Sequence, residues 1–283
     1  MRLIADADAD PDDLYEQFDR SAAQVERVSE ALNLEISQDE EPDGASAYLL
    51  EFHGKSAHAS KPHHGHNALL DALRFLAELD GKKASTSPAA CAAFLAQKAG
   101  RLDGSQLGIA CEHPHLKNTT VNLGLLDWDA QGGTAELNIR YPIGLDAETI
   151  QARVSQKLAE LTDATPGVVA TCRIAEPPMA PLHVTPEDHP AFIQPLQRAY
   201  QAVTGRKAGL TAIGGTTYSK AYPLAVAFGP VDPQEGDVDL AHQVDERVTI
   251  HRHLTNIRIY ALALAMLAEA EPVAGEALEG ATD

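Results

Sequence analysis

Two groups between Ile213 and Glu246 are of types that could do chemistry. The first is the turn Gly214-Gly215-Thr216-Thr217-Tyr218, whose paired glycines let backbone N–H groups approach an anion because no Cβ intervenes. The second is His242, which follows the apolar run Leu224–Phe228 in a carboxylate-rich loop, a setting in which imidazole suits a metal ion. Each has a plainer reading, as a structural turn and as a solvated loop histidine. Glu40-Glu41 is a pair of adjacent carboxylates, but a Pro-Asp-Gly turn follows it and a solvated loop is the better reading. His63, His64 and His66 form a run with no acidic or Cys partner in the pattern, and read as surface.

The bulk properties exclude several classes. With 283 residues the chain is long enough for two domains, and 44% hydrophobic with 22% charged residues is ordinary for a globular protein. A formal net charge of -19 argues against nucleic acid and against anionic membranes. Three separated cysteines, without a C-x-x-C pair, suggest neither a disulfide framework nor a zinc ribbon. No run approaches the roughly 20 apolar residues of a membrane span, and the start lacks the apolar core of a signal peptide. The expectation is a soluble, cytoplasmic protein.

Periodicity supplies the elements that must position these groups. Leu14, Phe18, Val25, Val28 and Leu32 share one stripe, which predicts a helix from Asp12 to Leu32. An acidic turn over Gln38–Gly44 should then precede a strand, Ala47–His53, and a helix that buries Leu69, Leu70, Leu73 and Leu76. After an alanine-rich helix through Phe94 and Leu95, the strands Thr119–Leu126 and Thr134–Tyr141 form a hairpin around Gly132-Gly133. A helix over Ala147–Leu161 and a strand over Gly167–Ile174 complete the set. The order β-α-(α)-β-β-α-β is that of a ferredoxin-like layer, an antiparallel sheet with helices on one face. Pro177, Pro178 and Pro181 mark a linker. Beyond it come a helix from Thr185 to Thr204, kinked at Pro195, a short buried strand at Leu224–Phe228, and a helix from Ile250 to Ala270. The last helix should bury Leu254, Ile257, Tyr260, Ala261 and Leu264, and the tail from Glu271 should fray.

These pieces contain an ordered set of motifs. They are G-K-S-A-H58-A-S-x-P with G65-x-N67-A68, T-x-N122-x-G124, N138-x-R140-Y-P, H183-V-x-P-x-D, G-G-T-T-Y218, A-F-G229-P and A-H242-Q-x-x-E246. In that order, over most of residues 46–270, the chain resembles the M-twenty metallopeptidase family of aminoacylases, carnosinases and dipeptidase V-type enzymes. The resemblance implies an α/β fold: a ferredoxin-like lid over residues 1–180, the C-terminal part of a catalytic domain over 181–271, and an acidic tail over 272–283. It implies hydrolysis of small peptides with a free C-terminal carboxylate at a centre of two zinc ions, or of manganese or cobalt. By residue match, His242 is a metal ligand and His58 the lid histidine that donates to the oxyanion. Arg140, Gly214, Gly215 and Thr216 would hold the substrate carboxylate. An oxyanion donor must be pre-placed and polarised, and a carboxylate suits the planar fork of Arg, so the residue types match the roles.

The chain departs from the family pattern at two points. Thr216 stands where the family has a third glycine, which puts a Cβ and a hydroxyl into the carboxylate turn. No His-x-Asp occurs anywhere, and the family's Glu-Glu pair and further Asp ligand belong ahead of the lid, so most metal ligands and the general base are expected to be missing. A catalytic zinc takes about three protein ligands. The chain alone is therefore expected to be inactive, with an N-terminal half as a possible partner. Two alternatives stay open: a stand-alone binding or oligomerisation module built on the lid, and one chain of a split peptidase.

Overall fold

The computed structural model describes residues 2–4, 11–27, 32–40, 46–79, 87–129, 132–215, 217–222, 224–229, 231–238, 240 and 245–270. They fall into two compact units, Met1–Pro181 and Leu182–Asp283. The first unit is mixed helix and small antiparallel sheet, the lid-type fold class that the motifs imply.

Its first sheet has the order β1-β3-β2, from Arg2–Ile4 (β1), Leu34–Glu40 (β2) and Ser46–Phe52 (β3), all antiparallel. Helix α1, Pro11–Glu26, and helix α2, Ala68–Leu79, belong to the same body. The core between them is aromatic. Phe18 and Tyr48 meet edge-on at 5.2 Å between centroids, Phe52 and Phe75 at 5.6 Å, and Val25 and Leu50 fill the remainder. Each such side chain contributes roughly 1.5–3 kcal/mol on burial, so this cluster is what makes a three-stranded sheet stable.

The second sheet is the hairpin β4–β5, Thr120–Asp129 and Gly132–Arg140. Thr120 stands opposite Arg140 and Asn122 opposite Asn138, and the register shifts between Leu123 and Leu125, a bulge centred on Gly124. Val121 and Leu123 point inward. Leu123 packs with Leu70, Leu73 and Ala92 under α2 and helix α3, Ser87–Gly100. Val121 packs with Ile109, Ile150 and Val154 under helix α4, Ala147–Ala164. Asp146 caps α4 by accepting from the Thr149 amide at 2.6 Å.

Several expectations are corrected. Gln38–Glu40 is not the start of an acidic turn but the end of a strand, Leu34–Glu40, paired with β3 along its whole length. Its inward residues Leu34 and Ile36 join the aromatic core, while Glu35 and Ser37 between and after them are exposed. Helix α1 ends at Glu26; Val28 lies outside the described residues and Leu32 is already coil. Gly167–Ile174 forms no strand. This segment instead makes side-chain hydrogen bonds along α4: the Ala170 amide donates to Thr162 Oγ1 at 3.2 Å, and the Cys172 carbonyl accepts from Gln151 Nε2 at 3.4 Å.

In the second unit, helix α5, Pro190–Thr204, and helix α6, Ile250–Glu269, pack through Ile193, Leu196, Ala199 and Ala263. Helix α5 starts at Pro190 because Thr185 closes a separate turn, its Oγ1 accepting from the Asp188 amide at 3.1 Å. Leu224–Phe228, expected as a short buried strand, belongs to no strand among the described residues, and Leu224 is exposed. The expected core stripe of α6 is on its open side, with Leu254 51% and Leu264 65% exposed. The helix is apolar around most of its circumference, so periodicity alone does not say which face meets α5. The buried face is Arg252, Thr255, Ile259 and Ala263.

One acid-sensitive turn follows α3. Asp103 accepts from Ser105 Oγ at 2.6 Å and from the Ser105 amide at 2.9 Å, and these bonds bring its carboxyl down to about 2. A depressed folded-state value means the turn's stabilisation is present at neutral pH. It is lost as pH falls from the ordinary 3.8 through about 2. Asp103→Asn is expected to flatten the stability–pH slope in that window, measured by urea unfolding at a series of pH values.

Candidate functional site

The first unit brings two of the expected site residues to one place. Strand β3 ends at Phe52 and the chain turns out through Gly54 and Lys55 into the loop that carries His58. The loop closes on itself: Lys55 N donates to the His66 carbonyl and His66 N to the Lys55 carbonyl, both at 2.9 Å. This neck is steric as well as hydrogen-bonded. A Cβ on Gly54 would lie 2.5 Å from the His66 carbonyl oxygen, and one on Gly65 2.6 Å from that of Lys55. Gly65→Ala is expected to cost about 1–3 kcal/mol through overpacking, read as a lowered urea midpoint for the first unit.

Within the loop, His58 is exposed, and its Nδ1 accepts from the Ser60 amide at 3.2 Å and lies 2.8 Å from Ser60 Oγ. With Nδ1 as acceptor, the neutral ring carries its proton on Nε2. The Ala59 carbonyl accepts from Thr120 Oγ1 at 3.4 Å, and Thr120 is the register partner of Arg140. The His58 loop and Arg140 therefore meet at the same end of the hairpin. Arg140 is half-buried, and Asn138 Oδ1 accepts from its Nε at 2.9 Å. Asn138 thus orients the guanidinium by the nitrogen that an end-on, two-point grip through Nη1 and Nη2 does not use.

Asn67 ties this end together. Its Oδ1 accepts from the Leu69 amide at 3.0 Å, capping α2, while its Nδ2 donates to the Leu123 carbonyl at 2.8 Å. Directly after the bridge, His66 Nε2 lies 2.5 Å from Asp71 Oδ2, and Arg74 Nη1 donates to Asp71 Oδ1 at 3.1 Å. The sequence reading placed His66 among surface histidines without an acidic partner. It missed the pair because the partner sits five residues on, inside α2, and only the helix turn carries the carboxylate back to the loop.

The other expected residues belong to the second unit. Gly214 and Gly215 form a bend, both half-buried, and a Cβ on Gly215 would meet nothing within 4 Å. Neither packing nor a left-handed backbone therefore demands glycine at 215. The turn runs into Tyr218, which is 93% exposed and lines a shallow apolar hollow with Thr217, Tyr222 and Val226. Thr216 and His242 lie outside the described residues. Among the described residues no group of three or more His, Cys, Asp or Glu side chains could hold a metal ion. The described residues thus do not fit a complete metal centre. Burial pushes the Cys91 thiol up, away from nucleophile chemistry.

A knot of charges holds the segment 231–238. Asp232 accepts from Tyr200 Oη at 2.6 Å and Arg206 Nη2 at 2.7 Å; burial alone would raise its carboxyl, but these bonds outweigh it and the net shift is downward. Arg252, with a side chain 3% exposed, pairs with Glu235 and with Asp237.

Residues 42–166, all within the first unit, match the family described as a peptidase dimerisation domain. The chain thus carries the lid-type domain of this peptidase family, and its relatives are named accordingly. It is 32% identical over 228 residues to a Bacillus subtilis protein named "putative dipeptidase YtjP", a match covering 78% of this chain and 44% of that protein. A Staphylococcus saprophyticus protein named "putative dipeptidase" is 28% identical over 245 residues, covering 86% of this chain and 49% of the relative. A Staphylococcus aureus protein of the same description is 28% identical over 221 residues, or 77% and 44% of the two chains. The chain spans about half the length of the curated relatives it matches. No helix among the described residues is long and apolar enough to cross a membrane.

Proposed function

We propose that the chain supplies the lid and carboxylate-binding part of a metal-dependent dipeptidase acting on small peptides with a free C-terminal carboxylate. The observation that carries this is the meeting of the His58 loop and Arg140 at one end of the β4–β5 hairpin. An Nε2–H donor is the tautomer required to receive negative charge on a carbonyl oxygen, and an arginine oriented through Nε is suited to a carboxylate. In the second unit, the motif match gives Gly214, Gly215 and Thr216 a carboxylate-binding role of their own, through backbone N–H groups. His242 would supply one ligand to a divalent metal pair, zinc or else manganese or cobalt, whose remaining ligands and general base would come from a further segment. The exposed apolar face of α6 at Leu254, Ile257 and Leu264 is the kind of surface such a segment would cover.

The test is dipeptide hydrolysis with zinc or manganese by the chain alone, and by the chain mixed with the part of the Bacillus subtilis relative outside the matched region. Turnover is expected only on mixing, and only for substrates whose C-terminus is a free carboxylate. Equal turnover of the C-terminal amide would remove the roles given to Arg140 and Gly214–Thr216; turnover by the chain alone would remove the need for a partner segment.

A second reading follows from the family match itself: the first unit is an oligomerisation module. Residues 1–181 alone are then expected to sediment as a dimer, and a monomer at micromolar concentration would count against it.

A further inference from the structure

The His66–Asp71–Arg74 group has no part in the proposed chemistry, yet it lies directly behind the loop that carries His58. Asp71 is 1% exposed, and both its oxygens are engaged, one by His66 and one by Arg74. A carboxylate only accepts, so the His66 ring donates through Nε2. The ring is thereby anchored to the first turns of α2, and its backbone is bridged in both directions to Lys55. Gly54 and Gly65 leave no room between the two sides of that neck, so the His66 backbone cannot shift without moving Lys55. On the far side the loop is tied to the hairpin by the 3.4 Å bond from Thr120 to the Ala59 carbonyl.

We propose that Asp71 is a positioning residue for His58, acting through His66. The buried carboxylate fixes the His66 ring, the ring fixes the neck, and the neck sets the turn in which the Ser60 amide donates to His58 Nδ1. The inference rests on the reading of His58 as a site residue, and it explains why a buried carboxylate and a histidine are placed at the base of an exposed loop. The competing account is that Asp71 only complements the N-terminal end of α2. That account predicts altered stability and an unaltered His58 ring.

The experiment uses the full chain with nitrogen-15-labelled histidine and reads the ring nitrogens by long-range proton–nitrogen spectra, with the His58 signals assigned from His58→Gln. The wild-type ring is expected to show an unprotonated Nδ1 and a protonated Nε2. In His66→Phe, which keeps a ring but not the bond, and in Asp71→Asn, this split pair is expected to collapse toward averaged signals, while the amide signals of α2 and β4 stay in place. Wild-type His58 signals in a folded His66→Phe chain would overturn the proposal. If both variants fail to fold, amide exchange in the wild type decides. Ser60 and His66 amides are expected to open as one unit, and exchange at Ser60 faster by more than on the order of tenfold overturns it. Because neither readout uses turnover, failure of the peptidase reading leaves these results standing. Absence of turnover on mixing, in turn, says nothing against the coupling of Asp71 to His58.

Discussion

Under the proposed dipeptidase reading, replacing His58 by alanine is expected to lower kcat of the mixed system by about 10²–10³ and leave KM nearly unchanged. The reason is when the contact forms. The substrate carbonyl oxygen is a weak acceptor in the ground state and a strong one once the tetrahedral intermediate carries charge, so a donor aimed at it acts mainly on the barrier. The Ser60 amide holds His58 Nδ1 as an acceptor, which keeps the Nε2–H in the required tautomer before substrate arrives. Arg140→Lys should behave in the opposite way. An ammonium lacks the planar fork and the Nε bond to Asn138, so the loss is expected in KM more than in kcat. The measurement is steady-state kinetics of the mixed system. A His58→Ala variant with raised KM and unchanged kcat would place this residue in ground-state binding.

The largest stability effect is expected at Arg252. Arg252→Met should destabilise the second unit by roughly 3–5 kcal/mol, because it removes the buried cation that faces Glu235, Asp237 and, at 3.9 Å, Asp232. Methionine keeps most of the aliphatic packing, so the loss reports the charges left behind. Among the described residues, Asp237 Oδ2 would keep the Asp232 amide at 2.9 Å, and Glu235 would keep Arg206 at 2.6 Å. The segment 231–238 would then come away from the start of α6. Denaturant unfolding followed by a probe in the second unit measures this directly. A loss below about 1 kcal/mol, the scale of an exposed pair, would mean that the knot is solvated.

Local pattern was a good guide wherever one face of an element was apolar and the other polar. The hairpin β4–β5, α2 and α4 follow from alternation and helical spacing, because a single core face leaves one solution for each. It misled where composition and burial part company. Leu34–Glu40 reads as acidic and polar, yet two inward residues and a full ladder to β3 suffice to make it a strand. Gly167–Ile174 has the composition of a strand, but a strand needs an edge to pair with, and this segment bonds to α4 instead.

By itself, the sequence determined the peptidase-type motif set, the presence of a ferredoxin-like lid and the candidate residues His58, Arg140, Gly214, Gly215, Thr216 and His242, since each rests on residue type and order along the chain. Only the tertiary structure decided that the His58 loop and Arg140 share one end of a hairpin, and that α6 turns Arg252 and Ala263 inward. It also decided that His66 finds its acid in Asp71. The physical reason is the same in each case. Partnerships across 5 to 61 residues depend on how elements pack, and packing energy is non-directional until the elements meet.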